Sequence, residues 1–153
     1  GKQFYQYTAI DEYSRFRYVE AFEEHSTYSS TVFLTHMLRF FKFRVECVQT
    51  DNGSEFTNRF TSEKGKLTLF ERYLARYGIR HKLIKPYTPR HNGKVERSHR
   101  KDNEYFYASH KFYSLKDFAV QLALHNRRYN NFPMRPLGWK SPREVMTSAL
   151  GSL

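Results

Sequence analysis

Strand-forming residues dominate the start of the chain. Phe4, Tyr5, Gln6, Tyr7, Thr8, Ala9 and Ile10 read as a first strand. Asp11-Glu12-Tyr13-Ser14 reads as a turn. Residues 15–22 form a second strand, with Phe16, Tyr18 and Glu20 on one face and Arg17, Val19 and Ala21 on the other. The two strands make an antiparallel hairpin. The period then changes: Val32, Phe33, Leu34, Met37, Leu38, Phe40 and Phe41 recur at helical spacing, which predicts a helix to about residue 42, capped by Ser26 or Thr27.

Residues 45–50 form a short apolar strand broken by Asp51-Asn52-Gly53. A polar stretch follows over 54–65. Leu67, Phe70, Tyr73, Leu74 and Tyr77 then mark a helix stopped by Gly78, and residues 79–84 form another strand. Residues 85–93 are a loop stiffened by Pro86 and Pro89. From Asn92 or Gly93 a long helix meets no breaker until Ser114, which caps a further helix over 115–129. Residues 130–140 read as an extended loop, and Ser141-Pro142-Arg143-Glu144 opens a last helix with proline in its first turn. The predicted order, β-β-α-β-α-β-α-α-α, is that of a mixed sheet covered by helices. No repeat, low-complexity tract or linker interrupts it, so residues 1–153 read as one domain.

Composition narrows the picture. Of 153 residues, 39% are hydrophobic and 27% charged, with 12 Tyr and 14 Phe, a profile that excludes a disordered tail. No stretch approaches the roughly 18 apolar residues needed to cross a bilayer. A single cysteine, Cys47, excludes an internal disulfide framework and a cysteine-based zinc site, and reads as a small buried apolar residue. The start of the chain lacks the pattern of a secretory signal, so reducing, cytoplasmic surroundings are expected. The net charge of +11 is unevenly spread: residues 1–63 carry 7 Lys/Arg against 9 Asp/Glu, and residues 64–153 carry 19 against 6. A positive field of that strength in the second part suits a polyanion such as nucleic acid; a merely soluble basic domain is the plainer alternative.

Three acidic positions stand in special contexts. Asp51 lies at the C-terminal end of an apolar strand, where α/β sheets bind ligands, although Asp-Asn-Gly is also an ordinary turn. Glu96 lies one turn inside the helix after the proline loop. It is the sole acid in residues 80–101, among eight Lys and Arg. Asn92, Glu96 and Arg100 share a helix face by their spacing; an ion pair of Glu96 with Arg97 or Arg100 is the structural alternative. Asp11 reads as a hairpin turn residue. Trp139 reads as packing beside the last helix, and Tyr105, Phe106, Tyr107, Phe112 and Tyr113 as core and helix-packing surface, with base stacking as the other option.

The segments YTAIDEYSRFRYVEAF, VQTDNGSEFTN and PYTPRHNGKVERSHR, followed by HNRRYNNFPMRPLGWKSPREVM, resemble the catalytic core of integrase-like DDE transposases, a group that includes bacterial insertion-sequence transposases and retroviral integrases. The ordered set spans essentially the whole chain. The resemblance implies a ribonuclease-H-like fold and three carboxylates holding two Mg²⁺ or Mn²⁺ ions. It places the second aspartate on Asp51 and the glutamate on Glu96. The 44 residues between them exceed the family's usual spacing, which implies an insertion within 58–67. Asp11 matches a later element of the pattern, not the first metal ligand. The expectation is therefore a partial core that lacks its first, central strand and its first catalytic aspartate.

The resemblance further implies Mg-dependent phosphodiester cleavage and DNA strand transfer in the parent protein, with DNA (transposon ends and target) as partner, self-association, no membrane, and a bacterial, nucleoid-associated setting. Asn92, Lys94, Arg97, Arg100 and Lys101 are the expected phosphate contacts. Two alternatives differ in class: a non-catalytic basic nucleic-acid-binding module of the same fold, and a protein-interaction domain serving multimerisation.

Overall fold

The computed structural model describes residues 3–85 and 93–151. Nine regular elements follow in the predicted order: β1 Tyr5–Ile10, β2 Arg17–Phe22, α1 Thr27–Phe40, β3 Cys47–Thr50, α2 Leu69–Arg76, β4 Arg80–Leu83, α3 Gly93–Asp102, α4 Leu115–Asn130 and α5 Pro142–Gly151. They fall into two compact units, one of residues 1–21 with 94–153 and one of residues 22–93. The described strands form two separate two-stranded sheets, the hairpin pair β1–β2 and the parallel pair β3–β4.

In the first unit only six residues join β1 to β2, too few for a parallel crossover, so the pair is a hairpin. Asp11 is its turn residue, as the sequence suggests: its Oδ2 accepts from the Ser14 amide at 2.9 Å and the Ser14 hydroxyl at 2.6 Å. Val19, Phe106, Phe118 and Leu122 form the buried core here, with Phe4, Tyr107 and Phe112 packed against it. The aromatic run is thus mainly core, while Tyr105 and Tyr113 stay exposed. The long helix expected after Gly93 is shorter: α3 ends at Asp102, and Asn103–Tyr107 continues as one π-helical turn. That wider turn buries Phe106, which stacks on His125 of α4 with ring centroids 4.7 Å apart. Ser114 caps α4, its side chain accepting from the Asp117 amide. Residues 130–140 are not an extended loop. Asn130 still belongs to α4, Arg135–Leu137 is a short 3₁₀ turn, and Met134 bridges Lys140.

The second unit packs α1 on α2 and α2 on β4, which pairs in parallel with β3 in register Cys47–Arg80 to Thr50–Leu83. Ser26 caps α1 and Thr68 caps α2, the latter with a reciprocal Glu71 capping box. That cap starts α2 at Leu69, so Leu67, expected on the helix's apolar face, lies before it and is exposed. Phe33, Leu34, Met37, Phe41, Phe70 and Leu74 supply the buried apolar faces. Gly78 takes φ +70° just past α2, the left-handed stop expected of it. Strand β3 begins at Cys47 rather than residue 45, and Cys47 is half-buried rather than buried. No helix of the described residues is long and apolar enough to cross a membrane.

Candidate active site and its supporting networks

Asp51 follows β3 directly. The strand ends on Thr50, which is buried and whose Oγ1 lies 2.8 Å from His81 Nε2 on the neighbouring β4. One residue on, the backbone leaves the ladder and the Asp51 side chain stands in solvent. Its Oδ1 accepts from the Gly53 amide at 2.9 Å, which folds Asp-Asn-Gly into a side-chain-closed turn. The turn expected from Asp-Asn-Gly is present, and it orients the exposed Asp51 carboxylate. Asn52 ties the turn to the end of β4 through the Ile84 carbonyl at 3.1 Å.

Below the turn sits a buried acid that sequence reasoning passed over. The Glu55 carboxylate lies so close to Gly53 that a Cβ there would stand 2.5 Å from Oε1 and would push the carboxylate aside. Glu55 Oε1 is 3.1 Å from His25 Nε2, and its backbone carbonyl accepts from the Ser30 hydroxyl at 2.6 Å. The Phe56 carbonyl accepts from the Thr68 hydroxyl at 2.9 Å. The loop that carries Asp51 is thus stapled to α1 through Ser30 and to the start of α2 through Thr68. Burial lowers the His81 pKa, with Glu71 pulling the other way, so the imidazole behind Thr50 favours its neutral form.

Glu96 lies in the first turn of α3, in the other unit. The helix buries Ser98 and Asp102 and half-buries Val95 and His99, and Glu96, Arg97 and Arg100 point outward together. Lys94 instead reaches the hairpin turn, 2.7 Å from the Glu12 carbonyl and 3.2 Å from its carboxylate. Lys101 folds back over the Tyr129 ring at 5.6 Å. Burial, with Arg15 and Arg17 nearby, lowers its pKa. Asn92, expected among the phosphate contacts, and the proline loop before it lie outside the described residues. Among the described residues no three His, Cys, Asp or Glu side chains converge as a metal cluster.

Behind α3 runs a buried polar network that the sequence reading did not identify. Arg17 of β2 is fully buried. Its Nη1 meets Asp102 Oδ2 at 2.9 Å and its Nε donates to Asn126 Oδ1 at 2.7 Å, with the guanidinium 4.0 Å above the Tyr129 ring. Its Nη2 finds no hydrogen-bond acceptor among the described residues. The Arg17 backbone is clamped too: its amide donates to Asn130, and its carbonyl accepts from Asn126 and Asn130. Asp102 also accepts from Gln6 at 3.0 Å and lies 2.7 Å from His125 Nε2. Tyr107 donates to Gln6 in turn. Burial alone would raise the Asp102 pKa. The His125 hydrogen bond, the Arg17 charge and hydrogen bond, and the Gln6 amide outweigh it and hold the carboxyl at about 2. One signal in the sequence pointed here: Arg17 shares a strand face with Val19, and a charge on a core face demands a partner.

These elements define the fold of integrase catalytic cores, which is ribonuclease-H-like. The bovine immunodeficiency virus integrase catalytic core domain superposes with a TM-score of 0.69 at 18% identity, over 96% of this chain and 88% of that one. A chain of the simian T-cell lymphotropic virus intasome, solved in complex with the PP2A regulatory subunit B56 gamma, gives a TM-score of 0.69 at 18% identity, over 92% of this chain and 47% of that one. Residues 1–89 and 77–142 each match an integrase core domain family. The chain belongs to the integrase core domain family. It is 34% identical over 109 residues to the retrovirus-related Pol polyprotein from transposon TNT 1-94 of Nicotiana tabacum, covering 69% of this chain and 7% of that protein. It is 29% identical to the putative integrase ORF3 of Spiroplasma virus SpV1-C74, covering 96% of this chain and 43% of that protein. The chain thus spans less than half the length of either relative.

Proposed function

We propose that this chain is the catalytic core of a DNA transposase or integrase, which cuts a phosphodiester at an element's end and joins the freed 3′-OH to target DNA, in a cytoplasmic setting. The observation that carries the reading is the exposed Asp51 carboxylate directly after β3, whose last residue Thr50 is buried, in a chain of the integrase core family. Its oxygens are hard donors on a turn held by the Gly53 amide, and Glu96 offers a second exposed carboxylate in the first turn of α3. Both suit Mg²⁺ or Mn²⁺, and Asp51 and Glu96 are the residues proposed to hold the metal. When bound, a metal pair activates the attacking oxygen and stabilises the leaving oxygen of an in-line displacement. The chain's own part is to fix the Asp51 carboxylate through Gly53 and Glu55, and to bind the DNA backbone through exposed Arg97 and Arg100, with Asn92, Lys94 and Lys101 assigned to the same strand. Self-association belongs to the same proposal.

The test is a Mn²⁺ titration followed by water-proton relaxation, with divalent-dependent nicking of labelled DNA by the protein. Asp51→Asn and Glu96→Gln are expected to abolish nicking and weaken Mn²⁺ binding while DNA binding persists. Unchanged nicking in either variant would refute the assignment. DNA binding with no response to Mn²⁺ in the wild type would favour the non-catalytic basic module.

A further inference from the structure

We infer that Trp139 is a stacking platform for an unpaired base of a bound nucleic acid, flanked by Arg135 and Lys140 as phosphate contacts. The inference rests on the DNA-binding half of the proposed function and not on its metal site.

The first observation is backbone geometry. Residues 137–140 form a tight turn closed by the Lys140 amide on the Leu137 carbonyl, and its two central residues, Gly138 and Trp139, both take φ +64°. Positive φ at both centres is the signature of a type I′ turn, where Asn-Gly or Gly-Gly is favoured because side chains clash. Gly138 suits its place. A β-carbon with an indole at the next does not, and so bulky a residue at positive φ is an outlier. The conformation is enforced from outside the turn. The Trp139 amide donates to the Met134 carbonyl at 2.9 Å and the Met134 amide to the Lys140 carbonyl at 3.0 Å, while Met134 is buried.

The second observation is what the strained turn does with the side chain. Trp139 is 67% exposed, so the indole does not pack beside α5 as its sequence position suggested. The fold gains little from it, and glycine would sit there without strain. The residues on either side, Gly138 and Lys140, line an open cleft of about 570 Å³ that also involves Leu137, Val145 and Tyr13. Tyr13 is itself 73% exposed. Tyr13 thus presents one aromatic ring at the cleft, and Trp139, between two of its lining residues, presents another to solvent.

The third observation is charge. From residue 118 to the C-terminus the chain has one acid, Glu144, against Arg127, Arg128, Arg135, Lys140 and Arg143. Glu144 is occupied in capping α5, its carboxylate accepting from the Ser141 amide. Arg135, two residues before the turn, and Lys140, its last residue, are exposed. An aromatic face between cations fits a π-system carrying phosphates, since stacking takes the base and the cations take the backbone. Within a duplex each base face is covered by its stacked neighbour, so the ligand that fits is single-stranded or has an unpaired end.

Trp139 is the sole tryptophan of the chain, so its fluorescence reports the event directly. The protein is titrated with dye-labelled single-stranded DNA, with a blunt duplex, and with the same duplex bearing a short overhang; anisotropy reads binding and tryptophan emission reads stacking. The expected result is quenching by the single strand and the overhang but not by the blunt duplex. Trp139→Ala should weaken overhang binding roughly tenfold or more, Trp139→Phe should keep most of it, and both should leave blunt-duplex affinity nearly unchanged. Trp139→Gly should bind like the alanine variant yet melt roughly 2–4 °C higher, because it relieves the turn; a purely structural tryptophan would lower the melting temperature instead. Binding without quenching, or full affinity in Trp139→Ala, would overturn this inference and leave the metal site untouched. Emission that shifts on raising protein concentration without DNA would overturn it in favour of a protein partner. Absence of any DNA binding would overturn both this inference and the DNA-binding reading beneath it.

Discussion

Replacing Arg17 by methionine tests the buried network most directly. Methionine keeps an unbranched apolar stem reaching about as far as the arginine Nε but removes the rest of the guanidinium. The structure specifies what is lost: the 2.9 Å ion pair with Asp102, the 2.7 Å bond to Asn126, and the contact over Tyr129. The backbone clamps through Asn126 and Asn130 survive. Asp102, at 1% exposure, keeps His125 and Gln6 but loses its cation. Removing one partner of a buried pair leaves the other charge uncompensated, which costs about 3–5 kcal/mol. A substantial part of the unfolding free energy of an ordinary domain, about 5–15 kcal/mol, would go. Urea unfolding followed by circular dichroism measures it. The double variant Arg17→Met/Asp102→Leu should be less destabilised than the sum of the single changes, because no buried charge is then orphaned. A loss under about 1 kcal/mol in Arg17→Met, or strict additivity in the cycle, would refute the view that the pair is coupled.

Other outcomes follow from the same contacts. Asp102 titrates near 3.8 when unfolded and at about 2 when folded, so its contribution is complete above pH 3.8 and is lost as pH falls toward 2. The difference corresponds to about 2 kcal/mol, to be read as an acid-unfolding step that Asp102→Asn removes. Burial lowers the pKa of both His81 and His99, so the unfolded chain takes up protons first. Stability should therefore begin to fall as pH drops below 6.5, and replacing either histidine by glutamine should flatten that limb of a pH–stability curve. Gly53→Ala forces the Glu55 carboxylate aside and should cost about 1–3 kcal/mol in thermal unfolding, most of it recovered when Glu55→Ala is added. Thr68→Ala removes both the α2 cap and the bond to the Phe56 carbonyl and should cost about 1–2 kcal/mol, with faster hydrogen exchange at Glu71.

The sequence by itself determined the order of elements and several of their ends, because these depend on neighbours a few residues apart. Helical spacing in α1, Ser26 and Ser114 before their helices, and Gly78 after α2 are local effects, and each stands where the spacing put it. It also marked Asp51 as a residue at a strand end and Glu96 as an acid alone among cations, and the ordered motifs pointed to the integrase core family. What it did not reveal depends on partners far along the chain. Arg17 meets Asp102 across 85 residues and Asn126 across 109, and no local pattern announces such a pairing. The early end of α3 follows from the need to bury Phe106 against His125 of α4, which overrides a stretch free of helix breakers. Trp139 stands outside for a similar reason: the bridge from Met134 to Lys140 fixes a left-handed turn that sequence spacing assigned to packing. Local propensity decides which elements form, and tertiary contacts decide which polar groups are buried and which aromatic rings face water.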